Sequence, residues 1–168
     1  MNDISKIEPD LVFKTLTRWQ KSEKQNPKEM DYIINQSLRT LIKQGNPQAI
    51  KFLNFSTDPQ IKFSDFKIKT DLIVIGTYLE FSFKLLAQKD ERLLIDYIIH
   101  FQNKTQNGHN KKVFKLKIVS MKKGQTLTIE KKHRIYHMST RRLNPGQHKL
   151  EIQINGNRVG EKTFAVVD

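Results

Sequence analysis

Along the first third of the chain, apolar positions recur every three to four residues. Met30, Ile33, Ile34, Leu38, Leu41 and Ile42, with the small Ser37, fall on one stripe of a helix, because 3.6 residues complete a turn. The period changes once, over residues 54–59. Beyond it every second side chain is apolar: Phe81, Phe83 and Leu85, then Leu93, Ile95, Tyr97, Ile99 and Phe101, then Leu150, Ile152 and Ile154. That alternation lays one face of a strand on a core. The pattern predicts an α+β chain of two parts, a helical segment over residues 1–55 and an all-β domain over 60–168.

Start signals divide the helical segment. Glu8-Pro9-Asp10 opens a helix with proline at the first helical position, where its missing N–H is not needed, and Leu11, Val12, Leu16 and Trp19 form the stripe. Trp19 is expected as a core anchor of the first helix pair. Asn26-Pro27-Lys28-Glu29 has the layout of a capping box and opens a second helix that runs to Gly45. Asn46-Pro47 repeats the signal for a short third helix carrying Ala49, Ile50, Phe52 and Leu53. Short helices joined by tight turns suggest units of a helical solenoid, in which each repeat buries its apolar face against a neighbour.

Seven strands are predicted in the second part, over residues 61–68, 77–86, 93–103, 113–119, 125–133, 148–155 and 158–167. So many short alternating strands in about 110 residues match an immunoglobulin-like or fibronectin-like sandwich. Asn155-Gly156 predicts a two-residue type I′ hairpin turn. The apolar set Ile61, Phe63 shifts phase to Phe66, Ile68, so a bulge is expected at Ser64-Asp65. His148 follows Leu143-Asn144-Pro145-Gly146-Gln147, where sandwich domains often place a tyrosine that bonds back to the backbone, and a structural role is expected for it.

Charge changes the functional picture. The chain carries +13, and residues 56–168 hold 21 Lys/Arg against 11 Asp/Glu. Such a one-sign field favours polyanionic partners, although solubility alone would also account for it. Cysteine is absent, which excludes disulfides, thiolate catalysis and Cys-based zinc sites. No apolar run approaches the roughly 18 residues of a membrane span and no signal peptide is legible, so a soluble, cytoplasmic protein without a membrane partner is expected. His133 and His137 would stand roughly 13 Å apart along a strand, too far to share a metal. No nucleophile with its base, phosphate-cradling glycine loop or close carboxylate pair can be read, and no catalytic residue, metal or cofactor is expected.

Residues 32–49, Tyr-Ile-Ile-Asn-Gln-Ser-Leu-Arg-Thr-Leu-Ile-Lys-Gln-Gly-Asn-Pro-Gln-Ala, resemble the last helical repeat of DNA alkylation repair proteins, the HEAT-like-repeat alkylpurine DNA glycosylases. Asn2-Asp3-Ile4-Ser5-Lys6 with Pro9-Asp10-Leu11-Val12 is similar to the repeat before it. Residues 95–101, 112–117 and 140–156 resemble the branch of that family in which a β-sandwich follows. Gln36 departs from the pattern, which usually has histidine there. The resemblance implies the C-terminal portion of a longer protein, whose basic concave surface of repeats holds the DNA backbone. It also implies catalytic aromatic, acidic and arginine residues in repeats N-terminal to this piece, and none of them matches a position in this sequence.

The basic residues are then the candidate binding groups. Lys111, Lys112, Lys122, Lys123, Lys131, Lys132, Arg134, Arg141 and Arg142 are expected at strand ends and loops, where long cations can converge on phosphates. Arg39 and Lys43, one turn apart on the second helix, would extend such a surface. Tyr136, His137 and Met138 precede Arg141 and Arg142, so an aromatic beside cations could stack on a base. The expected partner is duplex DNA, contacted through its backbone. Two alternatives stay open: docking of an acidic protein or of the upstream repeats, and solvated strand faces such as Lys115 and Lys117, which alternate with Phe114, Leu116 and Ile118.

Overall fold

The computed structural model describes residues 1–21, 26–104, 108–137 and 142–168. The chain divides into two compact units, Met1–Thr57 and Asp58–Asp168.

The first unit contains α1 (Asn2–Ile7), α2 (Pro9–Gln20), α3 (Pro27–Ser37), α4 (Arg39–Lys43) and α5 (Pro47–Phe52). Proline is the first helical residue of α2, α3 and α5. Asn26 Oδ1 accepts from the Lys28 N–H at 3.0 Å, and Asn46 Oδ1 accepts from Gln48 and Ala49 at 3.0 and 3.1 Å. At the end of α4, Gly45 takes φ +71° while the Asn46 N–H reaches the Leu41 carbonyl and the Gly45 N–H reaches Ile42. That is the Schellman closure. The expected single helix up to Gly45 is broken at Leu38 (φ −98°, ψ 4°). The Thr40 N–H, which would continue the helical ladder, instead donates to Asn2 Oδ1 at 3.0 Å. Val12, Leu16, Met30, Ile34, Leu38, Leu41 and Ala49 form the core, with Phe13 and Trp19 packed against it. Leu11, expected on that stripe, is exposed.

The second unit is a sandwich with eight strands among the described residues: β1 (Ile61–Ile68), β2 (Leu72–Val74), β3 (Tyr78–Ala87), β4 (Glu91–Gln102), β5 (His109–Met121), β6 (Thr126–Arg134), β7 (Gly146–Ile154) and β8 (Asn157–Val167). One sheet has the order β1-β3-β6 and the other β2-β8-β7-β4-β5. All pairs are antiparallel except β2 with β8. β2 was not expected: three residues are too few for alternation to register. Between the sheets lie Phe81, Phe83 and Leu85 of β3, the inward set of β4 from Leu93 to Ile99, Leu150, Ile152 and Ile154 of β7, and Phe164 and Val166 of β8.

Local irregularities shape this sandwich. The bulge in β1 falls between Ser64 and Lys67, with Asp65 at φ +52°, so Phe66 and Ile68 regain the core face. The Asn155-Gly156 turn has φ +47° and +84°, as a type I′ hairpin requires. In β5 the pairing to β4 jumps between Ile95 and Asp96, which face Lys117 and Lys115. The extra residue flips the strand's phase. Phe114 and Leu116 pack on the core, then Val119 and Met121 do, and Ile118 turns outward against expectation.

Candidate functional site

β5 and β6 are consecutive in the chain but belong to different sheets, each at an edge. A four-residue connection joins them at one end of the sandwich. At the other end their inward residues meet, with Phe114 and His133 ring centroids 4.7 Å apart. A cleft of about 210 Å³ opens there, between the end of β4, the first half of β5, the end of β6 and residues 142–144. Its walls include the aromatic rings of Phe101, Phe114, His133 and Tyr136. Four of the sequence candidates line it, namely Lys111, Lys112, Arg134 and Arg142. Lys112 shares a face with Phe114 by the strand period of two, and its Nζ lies 5.3 Å from that ring's centroid. The Arg134 guanidinium lies 5.6 Å from the Tyr136 ring in the same manner. Both are cation–π contacts that hold a charge beside an apolar surface.

Beneath the cleft, Tyr97 stacks on Phe114 at 5.0 Å and 14°, and Phe81 packs against it, tilted, at 5.3 Å. His133 meets both rings edge-on. Burial pushes the Tyr97 hydroxyl up to about 12. Burial, helped by the charges of Lys131 and Lys112, pushes His133 down to about 4. At neutral pH both groups are therefore uncharged, and the Tyr97 hydroxyl and His133 Nδ1 share a hydrogen bond of 2.8 Å. The pair holds the floor of the cleft rigid and carries no charge. What the cleft offers a ligand is cations on the rim and aromatic faces within.

On the far wall, His137, Leu143 and Asn144 are each held by hydrogen bonds. His137 Nδ1 accepts from the Leu143 N–H at 3.1 Å, and the Asn144 side-chain amide donates to the Gln102 carbonyl at 2.9 Å. His148 is buried and bonds to the Asn144 carbonyl through Nε2 at 3.0 Å, while Nδ1 accepts the Gln102 N–H at 3.3 Å. Its ring stacks on Phe164. Burial lowers its pKa, a trend the bond to Asn144 opposes and the nearby His109 reinforces. The structural role expected at this corner is what the geometry displays.

The remaining candidates are not gathered with these. Lys122 and Lys123 sit in the β5–β6 connection, roughly 26 Å away along β6 at 3.3 Å per residue. There Lys122 Nζ lies 2.7 Å from Asp90, which also accepts the Lys123 N–H. Lys132 Nζ lies 3.2 Å from Glu80. Lys131 lines a shallow groove with Glu80 and Glu130 rather than the cleft. Arg39 and Lys43 are the end residues of α4 in the helical unit. Arg141 and Met138 lie outside the described residues. Conversely, Phe101 and Phe114 were legible only as core positions, Asn144 only as part of the corner before His148, and Asn110 carried no signal. No spacing in the sequence brings β4, β5, β6 and residue 142 together.

A second polar cluster, on β4, β7 and β8, surrounds buried Glu151. Lys149 Nζ is 2.8 Å away, and Arg158 and His100 approach its other oxygen at 3.2 and 3.0 Å, the histidine out of line for a hydrogen bond. Burial would raise this carboxyl, but the hydrogen bond from Lys149 and the nearby His100 and Arg158 side chains hold it below its usual range. Among the described residues no three His, Cys, Asp or Glu side chains form a metal-holding group, and no helix is long and apolar enough to cross a membrane.

Residues 62–168 match the sequence family described as "Uncharacterised protein YhaZ, C-terminal Ig-like domain". The protein "Uncharacterized protein YhaZ" of Bacillus subtilis (strain 168) is 32% identical over 166 residues, which is 99% of this chain and 45% of that protein. The alkylpurine DNA glycosylase AlkC of Pseudomonas fluorescens, solved bound to DNA containing an abasic site analog, matches 99% of this chain and 46% of its own with a TM-score of 0.88 and 29% identity. A β-glucosidase from Listeria innocua, solved with glucose, matches 66% of this chain and 16% of its own at a TM-score of 0.52 and 12% identity, a likeness of fold alone. The chain thus spans a little under half the length of its YhaZ and AlkC relatives.

Proposed function

The chain belongs to the YhaZ C-terminal Ig-like domain family, among proteins related to DNA alkylation repair, and from that membership we propose that it is a DNA-holding portion of such a protein. In this reading the helices of residues 1–55 are terminal HEAT-like repeats of an α-solenoid, and residues 60–168 form the immunoglobulin-like domain. The partner is duplex DNA, gripped through its phosphates without base readout, and the chain itself supplies no bond-breaking group. The observation that carries the reading is the convergence of Lys111, Lys112, Arg134 and Arg142 on one cleft. Their side chains come from two sheet edges and a loop, a geometry that suits a phosphate track better than a single solvated strand face does. AlkC, the related structure, is itself bound to DNA. Arg39 and Lys43 remain separate candidates for phosphate contact.

Titration of a labelled duplex at increasing salt tests this. Four phosphate contacts predict a log–log slope of about −3 to −4, and Arg142→Gln or Lys111→Gln is expected to make it shallower by about one. Absence of binding even at low salt would overturn the reading. The outer edges of β5 and β6, which have no strand partner among the described residues, favour one other reading, a docking module for an extended, acidic protein segment. In that case the same substitutions leave DNA affinity unchanged.

A further inference from the structure

We propose that the cleft takes a single unpaired nucleobase, held between aromatic walls while the rim cations hold its flanking phosphates. The inference rests on the DNA-holding reading above and assigns a further ligand to the same site. A purely phosphate-binding track needs cations on a surface; this site has a concave aromatic interior as well. Phe114 is braced from below by Tyr97 at 5.0 Å and from the side by His133 at 4.7 Å, so its ring is fixed. Tyr136 is about half exposed, and the Arg134 guanidinium lies 5.6 Å from its ring. Stacking on such rings is indifferent to base identity, because every base has a π face. Asn110 and Asn144 also line the cleft, with their amide nitrogens held by Asn103 Oδ1 and the Gln102 carbonyl. At about 210 Å³ the cleft is smaller than the roughly 300–1,000 Å³ of drug-sized ligand sites, so it suits one base and not two. His133 and Tyr97 line and support it without charge, which suits a neutral ring system.

The test compares a continuous duplex with the same duplex carrying one bulged 2-aminopurine, using the full chain at low salt. Affinity for the bulge is expected to be about tenfold higher, with quenching of 2-aminopurine fluorescence on binding, because one base stacked on an aromatic is worth roughly 5- to 150-fold. Tyr136→Ala should lower affinity for the bulge more than affinity for the continuous duplex and so abolish the preference, and Tyr136→Phe should retain it. The exposure of Tyr136 makes folding of both variants expected, and thermal melts verify it. Equal affinity for bulge and duplex overturns the inference while leaving backbone binding intact. A bulge preference that survives Tyr136→Ala also overturns it, since the preference then comes from DNA flexibility. No binding to either DNA overturns both readings together.

Discussion

Gly160 shows how tightly a single position can constrain this sandwich. A Cβ there would lie 2.5 Å from Phe63 Cε1 and 3.0 Å from Cζ. The ring has little room to yield, since Phe66 and Phe83 flank it at 5.6 and 5.4 Å. Gly160→Ala is therefore expected to cost about 1–3 kcal/mol by overpacking, read from a denaturant midpoint at unchanged m-value. Partly buried His133 and buried His148 predict an acid sensitivity. Both have folded pKa values below the ordinary 6.5, His133 at about 4. Between about pH 6.5 and 4 the unfolded chain binds protons that these folded imidazoles refuse. Their contribution to stability thus falls as pH drops through that window and is constant above it. Melting scans should show this slope, and His133→Gln, which keeps an acceptor for the Tyr97 hydroxyl but does not titrate, should make it shallower. An unchanged slope in that variant would contradict the assignment.

Elements here are punctuated by asparagines with separable roles. Asn46 opens α5 by accepting from two N–H groups, and Asn46→Ala should destabilise the helical unit by about 1 kcal/mol. Asn155 does two things at once. It adopts φ +47° in the β7–β8 turn, and its side chain pins β4 by accepting from the Leu94 N–H at 2.7 Å and donating to the Arg92 carbonyl at 3.2 Å. Asn155→Gly keeps the backbone freedom and loses the pins, whereas Asn155→Ala loses both. Alanine is expected to be the more damaging by about 1 kcal/mol, measured by chemical denaturation. Equal losses would mean that the turn conformation contributes little.

At the scale of the molecule, the net charge of +13 matters less than where it is left unanswered. Lys122 and Lys132 face Asp90 and Glu80, while Lys111, Lys112, Arg134 and Arg142 share a cleft. Lys122→Gln is accordingly expected to change the DNA salt slope by much less than Arg142→Gln does. A comparable change for both would mean that the protein's general field, and not the cleft, attracts the polyanion.

Periodicity by itself determined the switch from helix to strand near residue 57, the inward set of β3, β4 and β7, the β1 bulge and the Asn-Gly turn. These are local effects of side-chain spacing and backbone φ, and they need no distant partner to be read. The sequence also marked Tyr136 and the basic positions, and the resemblance of residues 32–49 and 95–156 pointed to the family. Tertiary structure alone decided which of those cations converge, because β5 and β6 separate into different sheets and their far ends enclose Phe101 and Phe114. It likewise decided that Asn2 would interrupt the α3–α4 ladder and that Ile118 would turn outward. Each of these depends on a hydrogen-bond partner or register set far away in the chain, which no local pattern encodes.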